Sequence, residues 1–265
     1  MKLALTGRAV LVTRPTGVAE PLAACLRAQG CDAVLLPAIE ILPPEDRAGL
    51  EVVIDRLEEF DIAVFISPTA VRRANAAVSA RREWPPRLKY AAVGSETARA
   101  LRNIGLAEVL APRGRGDSAA LAALPELSHV AGQRIVIFRG QGGRETLREV
   151  LVARGAQVEY AQCYRRARPR AQVGPLVERW GRGEIDAVSV TSAEALENLF
   201  AMLEAAGTSG PALLRATPVF VPHPRVADAA RSRGIERVVI TPAGDQALAQ
   251  ALAAFFAKVT DSSHA

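Results

Sequence analysis

The residues with the clearest potential for chemistry form the loop FRGQGGRE at 138–145. The glycines leave backbone N–H groups open where a helix is predicted to begin, and such groups bind anions. Arg139 and Arg144 add positive charge on either side. The loop lacks the Gly-Lys-Ser/Thr ending of a nucleotide-binding P-loop. It therefore predicts an anion site, but this anion need not be the phosphate of a nucleotide.

Other chemically suggestive patterns are weak. We can place no Ser-His-Asp, Cys-His or paired-carboxylate set along the chain, and His129, His223 and His264 are too dispersed to suggest metal ligation. The match to G-x-G-x-x-A at 114–119 has no acidic residue about 20 positions later to hold a ribose. We therefore expect no metal and no bound dinucleotide. If the chain is an enzyme, it would work by positioning and hydrogen bonding.

Tyr164 is the polar candidate that stands out. It is predicted to end the strand VEYAQCY, immediately before the basic segment RRARPR. A half-buried tyrosine with a solvated hydroxyl and a functional tyrosine fit this position equally well.

Composition narrows the class of protein. With 265 residues, 49% of them hydrophobic, the chain can bury two cores and is expected to form two domains. The net charge of +5 comes from scattered arginines, and only 5% of residues are aromatic, so we expect an acidic small molecule as partner and no nucleic acid. Three cysteines without Cys-x-x-Cys spacing, no apparent signal peptide and no long apolar run predict a cytoplasmic protein that does not bind a membrane.

Three patterns of apolar strands and amphipathic helices each occur twice. In the first pattern Val18, Leu22, Cys25 and Leu26 predict a buried helix face in one copy, and Leu147, Val150 and Leu151 do so in the other. The paired segments are 10–41 with 135–166, 61–71 with 186–196, and 91–124 with 219–252. Strands that alternate with helices and are apolar throughout indicate parallel sheets covered on both faces. The fold class is therefore α/β, with two doubly wound, flavodoxin-like domains.

Local signals mark the ends of these helices. Gly30 and Gly155 stand where a helix needs a left-handed C-terminal residue. Thr191 and Glu194 have the spacing of a capping box.

Ligands of doubly wound domains bind beyond the carboxyl ends of the strands. Six turns are predicted there, and each offers small, hydroxyl-bearing or glycine residues next to a helix start. Any one of them could simply cap its helix, but together they suit a ligand with several negative groups. They are TRPTG (13–17), SPTA (67–70), GSET (94–97), RGQGG (139–143), TSAE (191–194) and PHPR (222–225).

In its ordered motifs the chain resembles the uroporphyrinogen-III synthase family. The motifs are VLVTRP near the start, PAIEI at 37–41, FISPTAV, AVGSETA, the run ending in CYRR, and VTSAEAL. Each is weak alone, but together they span nearly the whole chain in the family's order.

The resemblance implies domain boundaries that the duplicated patterns do not indicate. One domain would comprise residues 1–37 and 169–260, and the other residues 42–162. Residues 38–41 and 163–168 would form a two-strand linker, and residues 261–265 a disordered tail.

The resemblance also implies an activity and a substrate. The family's enzymes are cyclising hydro-lyases of tetrapyrrole (haem) biosynthesis: hydroxymethylbilane loses water, and its terminal ring is inverted through a spiro intermediate as the macrocycle closes. No cofactor takes part. The substrate carries eight carboxylates, which accounts for six anion-binding turns.

Residue roles follow from the same resemblance. Tyr164 matches the tyrosine placed to hydrogen-bond the leaving hydroxyl and is the catalytic candidate. Where the family often has a glycine-threonine turn, this chain reads FVPHPRVA, so His223 would be a replacement donor and Arg225 a carboxylate ligand. The full substrate-binding set is Thr13, Arg14, Ser67, Pro68, Thr69, Gly94, Ser95, Thr97, Arg139, Gly142, Gly143, Arg144, Thr191, Ser192, Ala193, His223 and Arg225.

Two further expectations concern the assembly of the protein and its alternative function. We expect a monomer that meets the upstream enzyme that forms the bilane. The alternative function is a non-catalytic two-domain binder or sensor of a small polyanion.

Overall fold

A computed structural model describes residues 3–114, 116–207, 209–242 and 244–262. Strands and helices alternate along most of this length, as the apolar periodicity predicts. In chain order the elements are β1 (Ala9–Val12), α1 (Glu20–Arg27), β2 (Asp32–Leu35), β3 (Glu40–Leu42), α2 (Arg47–Asp55), a 3-10 turn (Leu57–Glu59), β4 (Ile62–Phe65), α3 (Pro68–Ser79), β5 (Lys89–Ala92), α4 (Ser95–Asn103), β6 (Val109–Leu110), α5 (Ser118–Ala122), α6 (Pro125–Ser128), β7 (Arg134–Gly140), α7 (Thr146–Ala153), β8 (Gln157–Ala167), α8 (Gly174–Gly181), β9 (Ala187–Ser189), α9 (Ala193–Ala205), α10 (Ser209–Ala216), β10 (Val219–Val221), α11 (Pro224–Ser232), β11 (Val238–Ile240) and α12 (Asp245–Ser262).

The chain divides into two compact units. The first contains the residues up to Ile41 and from Ala167 onward, and the second contains Leu42–Arg166. The chain thus passes between the units within β3 and within β8. Residues 163–167, predicted as part of a linker, are the end of the continuous strand β8.

The first unit is built on a five-stranded parallel sheet in the order β2-β1-β9-β10-β11. Counted along the unit, this is the 2-1-3-4-5 order of flavodoxin-like folds. One face of the sheet packs Leu11 and Val188 against α8 to α11, and the other packs Val10 and Val12 against α1 and α12. Strands buried on both faces explain the continuous apolar runs in the sequence.

The second unit has the same strand order from a different starting point. Its sheet runs β3-β8-β7-β4-β5-β6, and the pairs from β8 to β6 are parallel. Counted from β7, the order is again 2-1-3-4-5, with β3 added at the edge. Ile137 packs against α7 on one face, while Phe138 stacks on Phe65 on the other, with ring centroids 4.9 Å apart.

The duplicated patterns occupy equivalent places in the two sheets, which confirms the predicted fold class. The unit β7-α7-β8 corresponds to β1-α1-β2, β4 to β9, and the segment from β5 to β6 to that from β10 to β11. Gly30 and Gly155 both follow helix ends with positive φ, +83° and +85°, as predicted. Val18, predicted on the first helix, lies before it, because α1 begins at Glu20.

The aspartates of the second pattern have matching structural roles. Asp186 accepts a hydrogen bond from the Ala9 N–H and Asp61 accepts one from the Arg134 N–H, each at 2.8 Å. Each carboxylate thus receives the first N–H of a neighbouring strand, β1 or β7. These aspartates stabilise the amino ends of the sheets, at the opposite end from the predicted ligand turns.

The C-terminal helix is longer than the sequence suggested. Asp261 and Ser262, assigned to a disordered tail, belong to α12. The segment from Asp245 to Ser262 contains no proline or glycine to stop the helix. The rest of the predicted tail, residues 263–265, lies outside the described residues.

Candidate active site

In each unit, three of the predicted ligand turns lie at the same edge of the sheet. In the second unit β7, β4 and β5 are neighbours, and the turns 139–143, 67–70 and 94–97 follow their carboxyl ends. In the first unit β1, β9 and β10 are neighbours and deliver the turns 13–17, 191–194 and 222–225 in the same way. Because the strands are parallel, the three turns of each unit share one edge of its sheet.

Tyr164 lies in this edge region of the second unit and is buried. The side chain is 1% exposed, and its hydroxyl lies 3.3 Å from the Ser67 Oγ, with either oxygen able to donate. Ser67 also caps α3, since its Oγ accepts a hydrogen bond from the Ala70 N–H at 3.0 Å. The prediction that Tyr164 ends its strand was wrong, since β8 continues to Ala167 through the partly exposed Arg165 and the exposed Arg166. Of the two interpretations left open for this position, a half-buried tyrosine with a solvated hydroxyl does not fit the 1% exposure.

Gly140 makes the space for this phenol. It pairs with Tyr164 across β7 and β8, next to a register irregularity between Arg139 and Gly140. A Cβ at position 140 would lie 2.7 Å from Cε2 and Cζ of Tyr164 and 3.1 Å from its hydroxyl. The Gln141 N–H donates to the Tyr164 carbonyl oxygen at 2.7 Å. The sequence showed Gly140 as a loop glycine, and this close approach could be recognised only once the strand pairing was known.

Arg139 is buried and binds the backbone of the glycine loop. The residue is 4% exposed and lies within β7, although it was predicted at an open turn. Its Nη1 lies 3.0 Å from the Glu145 Oε1, and its Nη2 donates to the Gly142 carbonyl oxygen. Gly143 has a φ of +103°, and a Cβ there would lie 2.6 Å from the same Nη2. The loop glycines therefore let the backbone turn tightly beside the guanidinium.

Glu145 and Tyr160 complete this cluster, and the sequence analysis missed both. The Tyr160 hydroxyl donates to the Glu145 Oε2 at 2.6 Å, and the Arg139 guanidinium carbon lies 4.5 Å from the centre of the Tyr160 ring. Hydrogen bonds from Tyr160 and then Arg139 hold the pKa of Glu145 below its ordinary value. Burial, with the hydrogen bond to Glu145, raises the pKa of Tyr160 to about 12. Near neutral pH the cluster thus holds a carboxylate and a neutral phenol.

The start of α7 differs from the prediction. The helix begins at Thr146 after Glu145, so the exposed Arg144 precedes the helix and does not open it. The chain's own Glu145 carboxylate stands where the sequence suggested an anion.

The other turns of the second unit are arranged as follows. Pro68 is the first residue of α3, and the Thr69 hydroxyl accepts a hydrogen bond from Arg72 at 3.2 Å. Gly94 precedes α4 without a side-chain cap, Ser95 is exposed, and Thr97 is buried.

In the first unit Thr13 and Arg14 are already engaged. Thr13 is fully buried and its hydroxyl donates to the Ser189 carbonyl oxygen at 2.8 Å. Arg14 pairs with Asp245 at 2.5 Å. The turn TRPTG, which contains both residues, does not adjoin its helix, since α1 begins only at Glu20.

Two helix caps in the first unit differ in detail from the predictions. Ser192 caps α9 by accepting from the Ala195 N–H, so the capping box predicted for Thr191 and Glu194 is wrong by one residue. The reason is that α9 begins at Ala193, itself a candidate residue.

His223 caps α11. Its Nδ1 accepts a hydrogen bond from the Arg225 N–H at 3.1 Å, so at this atom His223 is an acceptor and not the donor that was expected. The Arg225 side chain is exposed.

The described residues contain neither a metal-binding cluster nor a membrane-spanning helix. Within the described ranges, no group of three or more His, Cys, Asp or Glu side chains is placed to hold a metal ion. None of the helices in those ranges combines the length and apolar character needed to cross a membrane.

Comparisons with known proteins agree on one family. The model of the family described as "Uroporphyrinogen-III synthase HemD" matches residues 20–249. Uroporphyrinogen-III synthase of Escherichia coli K12 is 36% identical over 195 residues, which cover 73% of this chain and 79% of that protein. The enzyme of Salmonella typhimurium LT2 is 37% identical over 194 residues, with the same coverage.

Solved structures of low sequence identity share the fold. A mutant uroporphyrinogen III synthase from the extremely thermophilic bacterium Thermus thermophilus superposes with a TM-score of 0.61 at 20% identity, covering 95% of this chain and 99% of that chain. The synthetase from Helicobacter pylori 26695 gives 0.60 at 14% identity, covering 93% and 99%. The sequence motifs, the two flavodoxin-like sheets and the family match over most of the length lead to one conclusion: this chain belongs to the uroporphyrinogen-III synthase family.

Proposed function

We propose that this chain converts hydroxymethylbilane to uroporphyrinogen III, acting as a cyclising lyase of tetrapyrrole biosynthesis. The observation that carries the proposal is the family match over residues 20–249, supported by relatives of 36% and 37% identity. A mere binder of a small polyanion, the other function open to the sequence, is not favoured, since these relatives are synthases.

Tyr164 is the proposed proton donor. Loss of the terminal hydroxyl as water requires a proton, and a phenol held in place by Ser67 can supply it or hydrogen-bond the leaving oxygen. The proton lost from the attacked ring at closure restores the phenol, so no net proton is consumed. Fixing the hydroxyl in a buried site lowers the cost of reorganisation during the reaction.

The turn residues are the proposed ligands of the substrate's carboxylates. Those with exposed side chains, Ser95, Arg144 and Arg225, are suited to direct contact. Thr13 and Thr97 are buried, and we assign them to supporting the turns.

Location and assembly complete the proposal. We place the protein in the cytoplasm as a monomer that receives its substrate from the bilane-forming enzyme. The three cysteines, Cys25, Cys31 and Cys163, are free thiols, as is usual in a reducing compartment.

A turnover measurement separates an enzyme from a binder. Hydroxymethylbilane is supplied in large molar excess and its disappearance is followed against the spontaneous rate. We expect many substrate molecules to be consumed per chain at a rate proportional to protein concentration. Consumption that stops at one molecule per chain, or that never exceeds the spontaneous rate, would contradict an enzymatic role.

A further inference from the structure

A small pocket adjoins the glycine loop of the second unit. Its volume is about 210 Å³, and apolar side chains such as Ile137 and Leu147 line part of it. Arg139, Arg144 and Tyr160 supply its polar wall. The pocket has room for one short side chain of a ligand but not for a tetrapyrrole, and its polar groups favour a negative end group.

The guanidinium of Arg139 is fixed but incompletely paired. Its Nη2 is held by the Gly142 carbonyl oxygen and its Nη1 by Glu145, while its Nε is buried without a hydrogen-bond partner among the described atoms. A guanidinium binds a carboxylate best through two parallel N–H groups. A buried Arg139 therefore retains unused capacity for a carboxylate.

Glu145 is the solvent-exposed member of this ion pair. Its side chain is 49% exposed, whereas that of Arg139 is 4% exposed. A half-exposed ion pair contributes little to stability, so Glu145 can leave at small cost. The Tyr160 hydroxyl and the Arg139 Nη1 would then both be available to another carboxylate.

We propose that this pocket binds one carboxylate side arm of the substrate and that Glu145 is an internal carboxylate which that arm displaces from Arg139 and Tyr160. The inference rests on the proposed function for the identity of the ligand. Without substrate, the Glu145 carboxylate would neutralise the charge of Arg139. In the complex, a substrate carboxylate would accept the hydrogen bonds of the Arg139 Nη1 and the Tyr160 hydroxyl instead. Glu145 thereby sets the affinity for substrate without touching the reacting atoms.

Glu145→Gln tests the displacement, because it keeps the side-chain size and removes the competing charge. Glu149→Gln, an exposed change in the helix that follows Glu145, is the matched control for the altered net charge. We expect Glu145→Gln to lower the KM for hydroxymethylbilane about 2- to 5-fold with kcat unchanged, the range for a half-exposed ion pair. Fluorescence titration with uroporphyrin III, an unreactive octacarboxylate, should show the same tightening. Glu149→Gln should change neither value.

A second variant distinguishes displacement of Glu145 from a general effect of lost charge or altered folding. Glu145→Asp withdraws the carboxylate by one methylene but keeps its charge, and should tighten binding to a smaller extent. Equal affinities for wild type and both Glu145 variants, or weaker binding by them, would overturn the displacement while leaving the activity intact. If wild-type protein neither bound uroporphyrin III nor consumed hydroxymethylbilane, the proposed function would fall, and this inference with it.

Discussion

Replacing Tyr164 by Phe is expected to lower kcat roughly 100-fold, the scale of a lost general acid, while the protein still folds. The change removes one oxygen and leaves the ring packed against Gly140. Because the hydroxyl contacts Ser67, a partly buried hydrogen bond is lost and stability falls by about 1 kcal/mol. Steady-state kinetics with hydroxymethylbilane and urea unfolding separate these two effects.

Tyr90→Phe is the matched control for this change. Tyr90 is also buried in the second unit, and its hydroxyl donates to the Pro85 carbonyl oxygen at 3.3 Å. Both variants lose the hydroxyl hydrogen bond of a buried tyrosine, but only Tyr164→Phe should lose activity. Equal kcat values for the two variants would assign Tyr164 to packing.

Replacing Gly140 by Ala should reduce activity at least as strongly. The new methyl would lie 2.7 Å from two ring carbons of Tyr164, so the phenol or the strand pairing must move. Overpacking of this kind costs about 1–3 kcal/mol. Kinetics combined with urea unfolding should show a large loss of kcat and a moderate loss of stability.

A double mutant shows whether the Gly140 effect acts through Tyr164. If the methyl lowers kcat by moving the hydroxyl, Gly140→Ala should add little to the kcat loss of Tyr164→Phe, because contacting residues are not additive. Gly181→Ala is the control for a methyl in open space, since no atom lies within 4 Å and its φ is not positive. If the double mutant's fold-loss of kcat equalled the product of the two single-mutant losses, Gly140 would act independently of the phenol.

The architecture could be predicted because it is encoded locally and twice. β1 and the centre of β7, residues 135–138, are runs of apolar residues, and Gly30 and Gly155 follow matching helices. Such signals depend on residues a few positions apart, which is the distance over which sequence patterns are informative.

The details of the site depend on contacts that no short-range pattern carries. Tyr164 and Gly140 meet through the register of β7 and β8, 24 positions apart in the chain. Glu145 and Tyr160 lie on either side of α7 in the chain, and both contact Arg139 in the folded protein. The continuation of β8 beyond Tyr164 was not predicted, because the segment that follows, RRARPR, is mostly polar. Helix starts were placed to within a residue or two, which was too coarse to identify Ser192 as the cap of α9.

The isomer of the macrocycle formed tests the central claim most directly. Purified protein is incubated with hydroxymethylbilane, the product is oxidised, and the type I and type III porphyrins are separated and quantified. The proposed synthase activity predicts that the inverted type III isomer predominates and that its share rises with protein concentration. Type I product alone, formed at the spontaneous rate, would contradict the account.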